Sequence, residues 1–346
     1  MAPTVARSPM DVASAAPVSS ENPEMPPFDP AVHLAFELPT SRHSFTELGM
    51  SRPKNAPDMC YTEPFQLFSE EGVKMIRRDL LRKETATWIS SMWNHPATVK
   101  RISEAFGLPL RVLGRRGEVG HANVQLGPEG VEGVYKLTEV PSGPLTEAAA
   151  RPSQYDEILT DSWHRDSTQI VCVVMLSDTS TMVGGETAIR TGDGSIIKAR
   201  GAKMGGAVLM QGCHTTHAAL RATNAVERIS MVTSFAFADP DLDDSGTSLR
   251  SMDPKHQDGA LVQNHFLLHK LAKLRDRIDV AMEKIAAGEQ AKELPKREDV
   301  EPWVAEQIEF LKHTSWELFE RHPTYLYKDI PEETFRRYLP VPQTSS

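Results

Sequence analysis

The segment Trp163-His164-Arg165-Asp166 contains residue types that bind metals or transfer protons. His164 and Asp166 are two residues apart, and residues i and i+2 of an extended strand point to the same face. An imidazole and a carboxylate would therefore converge on one side of a strand. A protein-kinase catalytic loop also contains His-Arg-Asp, but it needs an asparagine where this chain has Val171. The kinase interpretation is therefore rejected, and a metal or acid–base site is predicted.

A second cluster, Cys213-His214-Thr215-Thr216-His217, follows about fifty residues later. A histidine from it would complete a set of two histidines and one carboxylate, which leaves coordination positions open on an iron. A structural zinc site would need a fourth protein ligand, and none is evident in the sequence. His217 is the preferred third ligand because it directly begins an apolar strand. His214 is the alternative, either as a supporting donor or as a loop residue.

Arg228 and Ser230 form the third feature, in a strand of mostly apolar residues. Alternation places both side chains on one face, and a guanidinium fork beside a hydroxyl suits a carboxylate. An arginine that faces an apolar interior is costly without an anionic partner. We therefore expect a bound carboxylate at Arg228. Arg221, which lies four residues after His217, is the alternative arginine and could hold a second anion.

The elements that must position these residues are short strands. Tight turns separate them, and Gly192-Asp193-Gly194 is typical of a hairpin. The predicted strands cover 121–126, 133–138, 169–178, 186–191, 195–200, 207–211, 217–223 and 228–237. From residue 169 onward no helix-length pattern interrupts the series, which favours an antiparallel barrel or jelly roll.

Helical patterns flank the strands at 65–107, where Ser69 can cap a helix, and at 258–321. The second pattern predicts a helical hairpin whose two apolar stripes face each other. These stripes contain Leu267, Leu271, Leu274, Ile278 and Ile285, and Val304, Ile308, Leu311 and Leu318. The hairpin either covers the barrel or forms a subunit contact in a homodimer, and the sequence leaves both alternatives open.

Three regions are predicted. Residues 1–57 form a proline-rich, mostly extended and partly disordered arm, residues 58–250 the catalytic domain with its N-terminal helices, and residues 251–346 a helical extension. The C-terminal aromatic residues are either a lid over the site or surface packing. They are Tyr325, Tyr327, Phe335 and Tyr338.

Composition excludes several classes of protein. The chain has 346 residues and a net charge of −9, which disfavours nucleic acid as a partner. Three cysteines without a CxxC motif argue against a disulfide framework and fit a reducing compartment. No apolar run is long enough for a membrane span or a signal peptide. A cytoplasmic protein that binds neither nucleic acid nor membrane is therefore expected.

Taken in order, these motifs resemble the Fe(II)/2-oxoglutarate-dependent dioxygenases, and in particular their prolyl-hydroxylase-like members. Gly184-Gly185-Glu186-Thr187 is similar to the strand start between the two ligand motifs, and the segment that begins with Gly205-Gly206 resembles the strand before the distal histidine. The run FQLFSEEGVKMIRRDLL at 65–81 is similar to the helix that opens such domains. The resemblance covers residues 65–238.

The resemblance implies a mainly β fold with flanking helices (α+β), namely a double-stranded β-helix (jelly-roll or cupin-like) core. His164, Asp166 and His217 would be the ligands of Fe(II). The sequence spacing to Arg228 fits the pattern of the family better for His217 than for His214. Arg228 and Ser230 would bind 2-oxoglutarate, with O2 as co-substrate. Two polar residues of an early strand would contact the 2-oxo acid or the substrate, or else are ordinary sheet polarity. They are Asn123 and Gln125.

The implied function is oxidation of an unactivated C–H bond of a small molecule, such as an amino acid. Hydroxylation, desaturation and ring closure, including aziridine formation, share the same ligand motif, and the sequence is similar to fungal oxygenases of secondary metabolism. Two alternatives keep the same barrel. A cupin-like metal-binding protein or isomerase would not use 2-oxoglutarate, and a non-catalytic scaffold would associate through residues 258–321.

Overall fold

The computed structural model describes residues 25–80, 87–113, 119–126, 163–180, 182–199, 203–223, 225, 227–242, 247–249 and 259–321. The strands in these ranges are β1 (Arg42–Ser44), β2 (Met59–Thr62), β3 (Phe65–Gln66), β4 (Leu110–Val112), β5 (His121–Leu126), β6 (Ile170–Met175), β7 (Val183–Gly184), β8 (Thr187–Arg190), β9 (Ile196–Ala199), β10 (Gly206–Met210), β11 (His217–Ala219), β12 (Ala222–Thr223) and β13 (Glu227–Phe237). The helices are α1 (Pro30–His33), α2 (Glu70–Leu80), α3 (Thr87–Asn94), α4 (Pro96–Phe106), α5 (Gly259–Gln290) and α6 (Arg297–Trp316), and a π-helical turn, Glu317–Arg321, follows α6.

The strands form antiparallel sheets. The largest has the order β1-β2-β10-β6-β13-β4, with β3 paired to β10 and β5 paired to β13. A three-stranded sheet has the order β11-β8-β9, and β12 pairs with β7. Every strand pair within the described ranges is antiparallel. The prediction of an α+β protein with antiparallel sheets is therefore confirmed.

The two faces of the large sheet have different partners because successive side chains of a strand point to opposite sides. Ile229 and Phe235 on one face of β13 belong to the core that contains Ile76 of α2 and Trp93 of α3. The opposite face includes Val171 and Met210, which pack with Ile189 and Ala199 of the three-stranded sheet. The large sheet therefore lies between a helical layer and the small sheet.

The sequence predicted most of these elements. Strands at 121–126, 170–175, 187–190, 196–199, 206–210 and 227–237 confirm the alternating patterns, and Gly72 N donates to Ser69 Oγ (3.0 Å) at the start of α2. The predicted helical region at 65 starts too early, because Phe65 and Gln66 pair with β10 and the helix begins only at Glu70. The predicted strand at 133–138 and the predicted C-terminal lid lie outside the described residues.

The described part of the N-terminal segment packs against the domain. β1 pairs with β2, and the Phe45 side chain is completely buried beside Cys60 and Tyr61. Residues 1–24 lie outside the described ranges, and the division into three regions stays a prediction. Among the described helices, none has the length and the apolar composition needed to cross a bilayer.

Helices α5 and α6 form the predicted hairpin, but the prediction of facing apolar stripes is wrong. Arg277 Nη1 lies 3.1 Å from Gln307 Oε1, and Lys270 Nζ lies 5.2 Å above the centre of the Phe310 ring. The earlier position on α5, Lys270, thus contacts the later position on α6, Phe310, so the helices are antiparallel. The face of α5 towards α6 is basic, whereas the residues of the predicted stripe, such as Leu271 and Ile278, are exposed.

A buried ion pair ties α2 to the large sheet. Arg77 is completely buried, and its Nη1 lies 2.5 Å from Glu227 Oε1 and 2.9 Å from the Leu176 carbonyl oxygen. Ser177 Oγ donates to the same carboxylate oxygen at 3.1 Å. The carboxylate therefore has two donors, and the guanidinium reaches the edge of β13 immediately before Arg228.

Removing one partner of this pair should destabilise the fold strongly. Arg77→Met leaves the Glu227 carboxylate buried without its cation, and we expect the free energy of unfolding in urea to fall by about 3–5 kcal/mol. The matched control is Arg297→Met, which breaks the exposed Arg297–Glu301 pair and should change stability by less than about 1 kcal/mol. Equal losses for both variants would contradict this prediction.

Candidate metal centre

His164 and His217 are brought together by a two-residue bridge between β11 and the chain before β6. The backbone N–H of each donates to the carbonyl oxygen of the other at 3.0 Å. Their imidazole ring centres are 4.4 Å apart. Asp166 follows two residues after His164, and its N–H donates to the Gly212 carbonyl oxygen at 3.0 Å. The ligand atoms of the three side chains all lie within 4.8 Å of one another.

The hydrogen bonds at this cluster leave metal-binding lone pairs available. His217 Nδ1 lies 2.9 Å from the Thr215 carbonyl oxygen, so Nδ1 carries the proton and Nε2 is the free donor atom. His217 Nε2 is 3.6 Å from Asp166 Oδ2, and His164 Nε2 is 3.6 Å from Oδ1. Asp166 Oδ2 is buried and has no hydrogen-bond partner. Two imidazole nitrogens and a buried carboxylate oxygen therefore fit one divalent cation.

The donor set indicates which metal suits the site. Two histidines and one carboxylate form the facial arrangement used by non-haem iron, with the remaining coordination positions open. Within the described ranges no other group of three histidine, cysteine or acidic residues could hold a metal ion. The His164 side chain keeps 29% of its exposure and that of Asp166 keeps 20%, so ligands other than protein could reach the metal.

Gly212 forms the floor beneath the Asp166 carboxylate. A Cβ atom at position 212 would overlap Asp166 Oδ2 and crowd its Cγ. The missing side chain therefore creates the space that the carboxylate occupies. Our sequence reasoning missed this residue, although a glycine directly after the strand predicted at 207–211 was an available signal.

Arg228 and Ser230 lie on the face of β13 that is directed towards the small sheet, since Ile229 and Met231 belong to the core with the helices. Arg228 is only 3% exposed. Its Nε donates to the Gly185 carbonyl oxygen at 3.0 Å and its Nη1 to Ser230 Oγ at 3.2 Å. Burial lowers the pKa of the Arg228 guanidinium, and the negative charge of Glu186 acts in the opposite direction. The cation is thus held between the sheets at an energetic cost.

Asn123 and Gln125 lie directly opposite these residues on β5. The register pairs Gln125 with Arg228 and Asn123 with Ser230, so all four side chains share one face of the sheet. The Gln125 side chain binds the backbone of Ala222, with Nε2 donating to its carbonyl oxygen at 2.6 Å and Oε1 accepting from its N–H at 3.0 Å. Gln125 therefore anchors the segment between β11 and β13 to the large sheet.

The alternative residues from the sequence lie elsewhere. The His214 ring is 6.4 Å from that of Phe45 and does not belong to the cluster of three metal-binding side chains. The Arg221 side chain is exposed, and its carbonyl oxygen accepts from Gly185 N at 3.2 Å. Trp163, which directly precedes His164, has its ring 4.7 Å from the guanidinium carbon of Arg190. The structure thus groups His217 with His164 and Asp166.

The cysteines near the site are buried thiols. Cys213 follows Gly212 directly, and its Sγ lies 3.4 Å from the Gln169 carbonyl oxygen. Burial raises the pKa of the Cys172 thiol far above its usual range. Burial also raises the pKa of Cys60 to about 11. Because a thiolate is the nucleophile and the metal ligand, Cys60 and Cys172 remain inert at neutral pH.

The comparisons with known proteins give structural matches alone. No protein-family model matches the sequence, and no curated protein matches it. One matching structure is a non-heme monooxygenase, the ThoJ–Ni complex, with a TM-score of 0.28 and 13% identity over 44% of this chain and 55% of that chain. A second is the non-heme alpha-ketoglutarate-dependent epimerase SnoN from nogalamycin biosynthesis, with a TM-score of 0.26 and 17% identity over 44% and 57%.

A third match is a prolyl-4-hydroxylase from Pseudomonas putida, with a TM-score of 0.18 and 13% identity. It covers 48% of this chain and 100% of that chain. The chain thus spans a little over half the length of the first two structures. At the site itself, the described residues provide a group of two histidines and one carboxylate that could hold a metal ion, and a buried arginine on the facing sheet.

Proposed function

We propose that this protein is a non-haem iron, 2-oxoglutarate-dependent oxygenase that oxidises a C–H bond of a small molecule. The observation that carries the proposal is the convergence of His164, Asp166 and His217 around one buried, unbonded carboxylate oxygen. The buried Arg228 on the facing sheet adds a site for an anion. Neither feature contributes to folding in an obvious way, because each places polar groups between two sheets at a desolvation cost.

The order of the strands supports a double-stranded β-helix for the core. The large sheet contains the sequence β5-β13-β6-β10, and the small sheet continues from β9 and β8 to β11 and the bridge at His164. Between β5 and β13 the chain passes repeatedly from the large sheet to the small sheet and back, with β8 and β9 as a hairpin within the small sheet, and this crossing pattern is that of a jelly roll. This arrangement puts the metal-binding side chains at the end of the small sheet and Arg228 on the large one.

The positions of His217 and Arg228 suit a dicarboxylate that bridges them. His217 pairs with Ile189 on β8, and the Arg228 guanidinium binds Gly185, four residues earlier on the same chain. Four residues of chain span at most about 13 Å. A five-carbon dicarboxylate that chelates a metal at one end and accepts hydrogen bonds at the other would fit within this limit. Arg228 and Ser230 would hold the distal carboxylate, with Asn123 beside them.

Iron(II) bound here would supply oxygen activation coupled to decarboxylation of the 2-oxo acid. The protein's own residues would position the metal ligands and the strands that carry them. Thr215 fixes the tautomer of His217 through Nδ1, and Gly212 admits the carboxylate of Asp166. The Gln125 amide holds Ala222, and thereby the strand that follows His217, against the large sheet.

A small-molecule substrate, such as an amino acid, and one outcome among hydroxylation, desaturation and ring closure complete the proposal. The outcome depends on sub-ångström placement of the target C–H bond. A fungal origin in secondary metabolism and a cytoplasmic location stay predictions from the sequence.

A cupin-like metal-binding protein or isomerase is the second candidate. The observation that favours it is the negative charge of Glu186 near Arg228, which offsets part of the cost of burying the guanidinium without any ligand. In that case the metal would bind, whereas 2-oxoglutarate would not. The two candidates therefore differ in the affinity for one small dicarboxylate.

An anaerobic titration separates the candidates. Fe(II) and 2-oxoglutarate added to metal-free protein should produce the visible metal-to-ligand charge-transfer band of the chelate. His164→Ala should abolish the band because it removes one of the three ligands, whereas the matched control His214→Ala should retain it. Bound iron without a band in the unmodified protein would replace this proposal with the cupin-like one. Loss of the band in both variants would contradict the ligand assignment.

A further inference from the structure

Helix α5 carries its apolar residues on the outside. Six exposed large apolar side chains recur at separations of three, four or seven residues, the spacing of a heptad stripe. They are Leu261, Leu268, Leu271, Ile278, Met282 and Ile285, each at least 40% exposed. Between them the same spacing passes through Asn264 and Arg275. A stripe of this kind normally faces a partner helix.

The inward face of α5 is basic instead. Lys270, Lys273 and Arg277 are each at most 3% exposed. Lys273 Nζ donates to the Leu242 carbonyl oxygen at 2.8 Å, and Arg277 Nε donates to that of Pro240 at 2.7 Å. A surface helix ordinarily buries its apolar stripe and exposes its charges. Here the burial is reversed, so the outward stripe is unexplained by the fold of a single chain.

Helix α6 adds a second exposed stripe, formed by Val300, Val304, Ile308 and Leu311. On each helix, viewed from its N-terminus, the stripe lies roughly a quarter to a third of a turn away from the face that contacts the other helix. The direction of this rotation is the same for both helices. Because the two helices are antiparallel, the same sense of rotation places both stripes on one side of the hairpin. We call this side the apolar face.

We propose that the apolar face binds the same face of a second copy of this chain, so that two hairpins form an antiparallel four-helix bundle. At about 1.5 Å per residue and about 10 Å per helix, one side of the hairpin measures on the order of 800 Å². A stable interface buries about that area on each partner. A two-fold axis pairs each stripe with a stripe of the same heptad spacing, which gives a closed dimer.

The charge pattern of the hairpin supports a second copy as the occupant. Apart from Arg275, the stripes carry apolar or uncharged residues, so the dimer would bury few charges. The chain beyond residue 321, which directly follows the hairpin, is another source of apolar residues, but its sequence has prolines at 323, 331, 340 and 342. Such a sequence lacks the heptads that match a long helical stripe.

Analytical ultracentrifugation of the full-length protein tests this proposal. The unmodified protein should sediment as a dimer, and Leu271→Glu combined with Ile278→Glu should raise the dissociation constant at least about 100-fold, because two carboxylates would be buried in each half of the interface. Ala287→Glu is the matched control, since it adds the same charge at an exposed position outside the apolar face. It should leave the dimer intact.

Circular dichroism and Fe(II) binding show whether each variant folds, and the uncharged Ile278→Gln gives a milder second test of the interface. Metal binding should be unchanged in all of them, so a failure of the proposed enzymatic function would not affect this result. A protein that is monomeric at concentrations on the order of 100 µM overturns the proposal, whatever covers the apolar face. A dimer that survives the double substitution, or an open-ended assembly, overturns it as well.

Discussion

Gly212→Ala should weaken Fe(II) binding by at least about 100-fold, which corresponds to a loss of about 2.7 kcal/mol, although all three metal ligands remain in the chain. The Cβ atom would occupy the position of Asp166 Oδ2, and the overlap is too large for a small rearrangement. The Asp166 carboxylate must therefore rotate away from the two imidazoles. Because the φ angle of Gly212 is not positive, alanine can adopt the backbone conformation, so the fold itself should persist.

The measurement is an anaerobic titration with Fe(II) alone, followed by unfolding in urea. Gly259→Ala is the matched control, because no atom lies within 4 Å of the position that its Cβ would take. It should bind Fe(II) like the unmodified protein. Unchanged affinity in Gly212→Ala would show that the carboxylate of Asp166 is not a ligand in the observed position. Loss of the folded state would instead assign Gly212 a purely structural role.

This expectation also shows where sequence reasoning reaches its limit at the site. Residues two apart on a strand share a face whatever the rest of the fold does, so His164 and Asp166 could be paired from the sequence. The role of Gly212 depends on a backbone approach between segments more than forty residues apart, which local patterns do not encode. The Gln125–Ala222 contact is of the same kind, because its two residues are 97 positions apart.

The fold shows a similar division. Apolar runs of strand length predicted β13 and β6, because one face of each strand packs against helices and the other against a sheet, so that both faces carry apolar residues. The orientation of α5 could not be predicted, since a heptad stripe identifies the apolar side without identifying its partner. The buried cations Lys270 and Arg277 are stabilised by carbonyl oxygens and aromatic rings that are distant in sequence.

The burial of the Arg228 side chain has an energetic cost. A guanidinium that is 3% exposed has lost its hydration, and two of its N–H groups are satisfied by Gly185 and Ser230. Pairs of arginine with a carboxylate are frequently bidentate, which makes them stronger than a single hydrogen bond. A bound carboxylate would supply this geometry. When no carboxylate is bound, the negative charge of Glu186 would partly balance the charge of Arg228. The affinity for 2-oxoglutarate should therefore depend on Arg228 more than on any other residue that does not touch the metal.

Arg228→Met should raise the dissociation constant for 2-oxoglutarate at least about 100-fold, measured by the charge-transfer band, because it removes a charge-assisted bidentate contact worth about 1.5–3 kcal/mol per hydrogen bond. The affinity for Fe(II) alone should not change, since Arg228 lies outside the metal-binding cluster. The dissociation constant of Arg228→Lys for 2-oxoglutarate should lie between those of the unmodified protein and Arg228→Met, because an ammonium keeps the charge but cannot form the bidentate fork.

Arg221→Met is the control that separates a specific site from a general effect of positive charge. Arg221 is an exposed arginine seven residues before Arg228, and its loss changes the net charge equally. We expect it to leave the titration unchanged. If Arg221→Met weakens binding and Arg228→Met does not, the 2-oxo acid binds at the mouth of the site, and the guanidinium between the sheets is a structural cation neutralised by Glu186. Equal effects would show attraction of the dianion by net charge, which salt would screen, whereas a contact with buried Arg228 should be much less sensitive to salt.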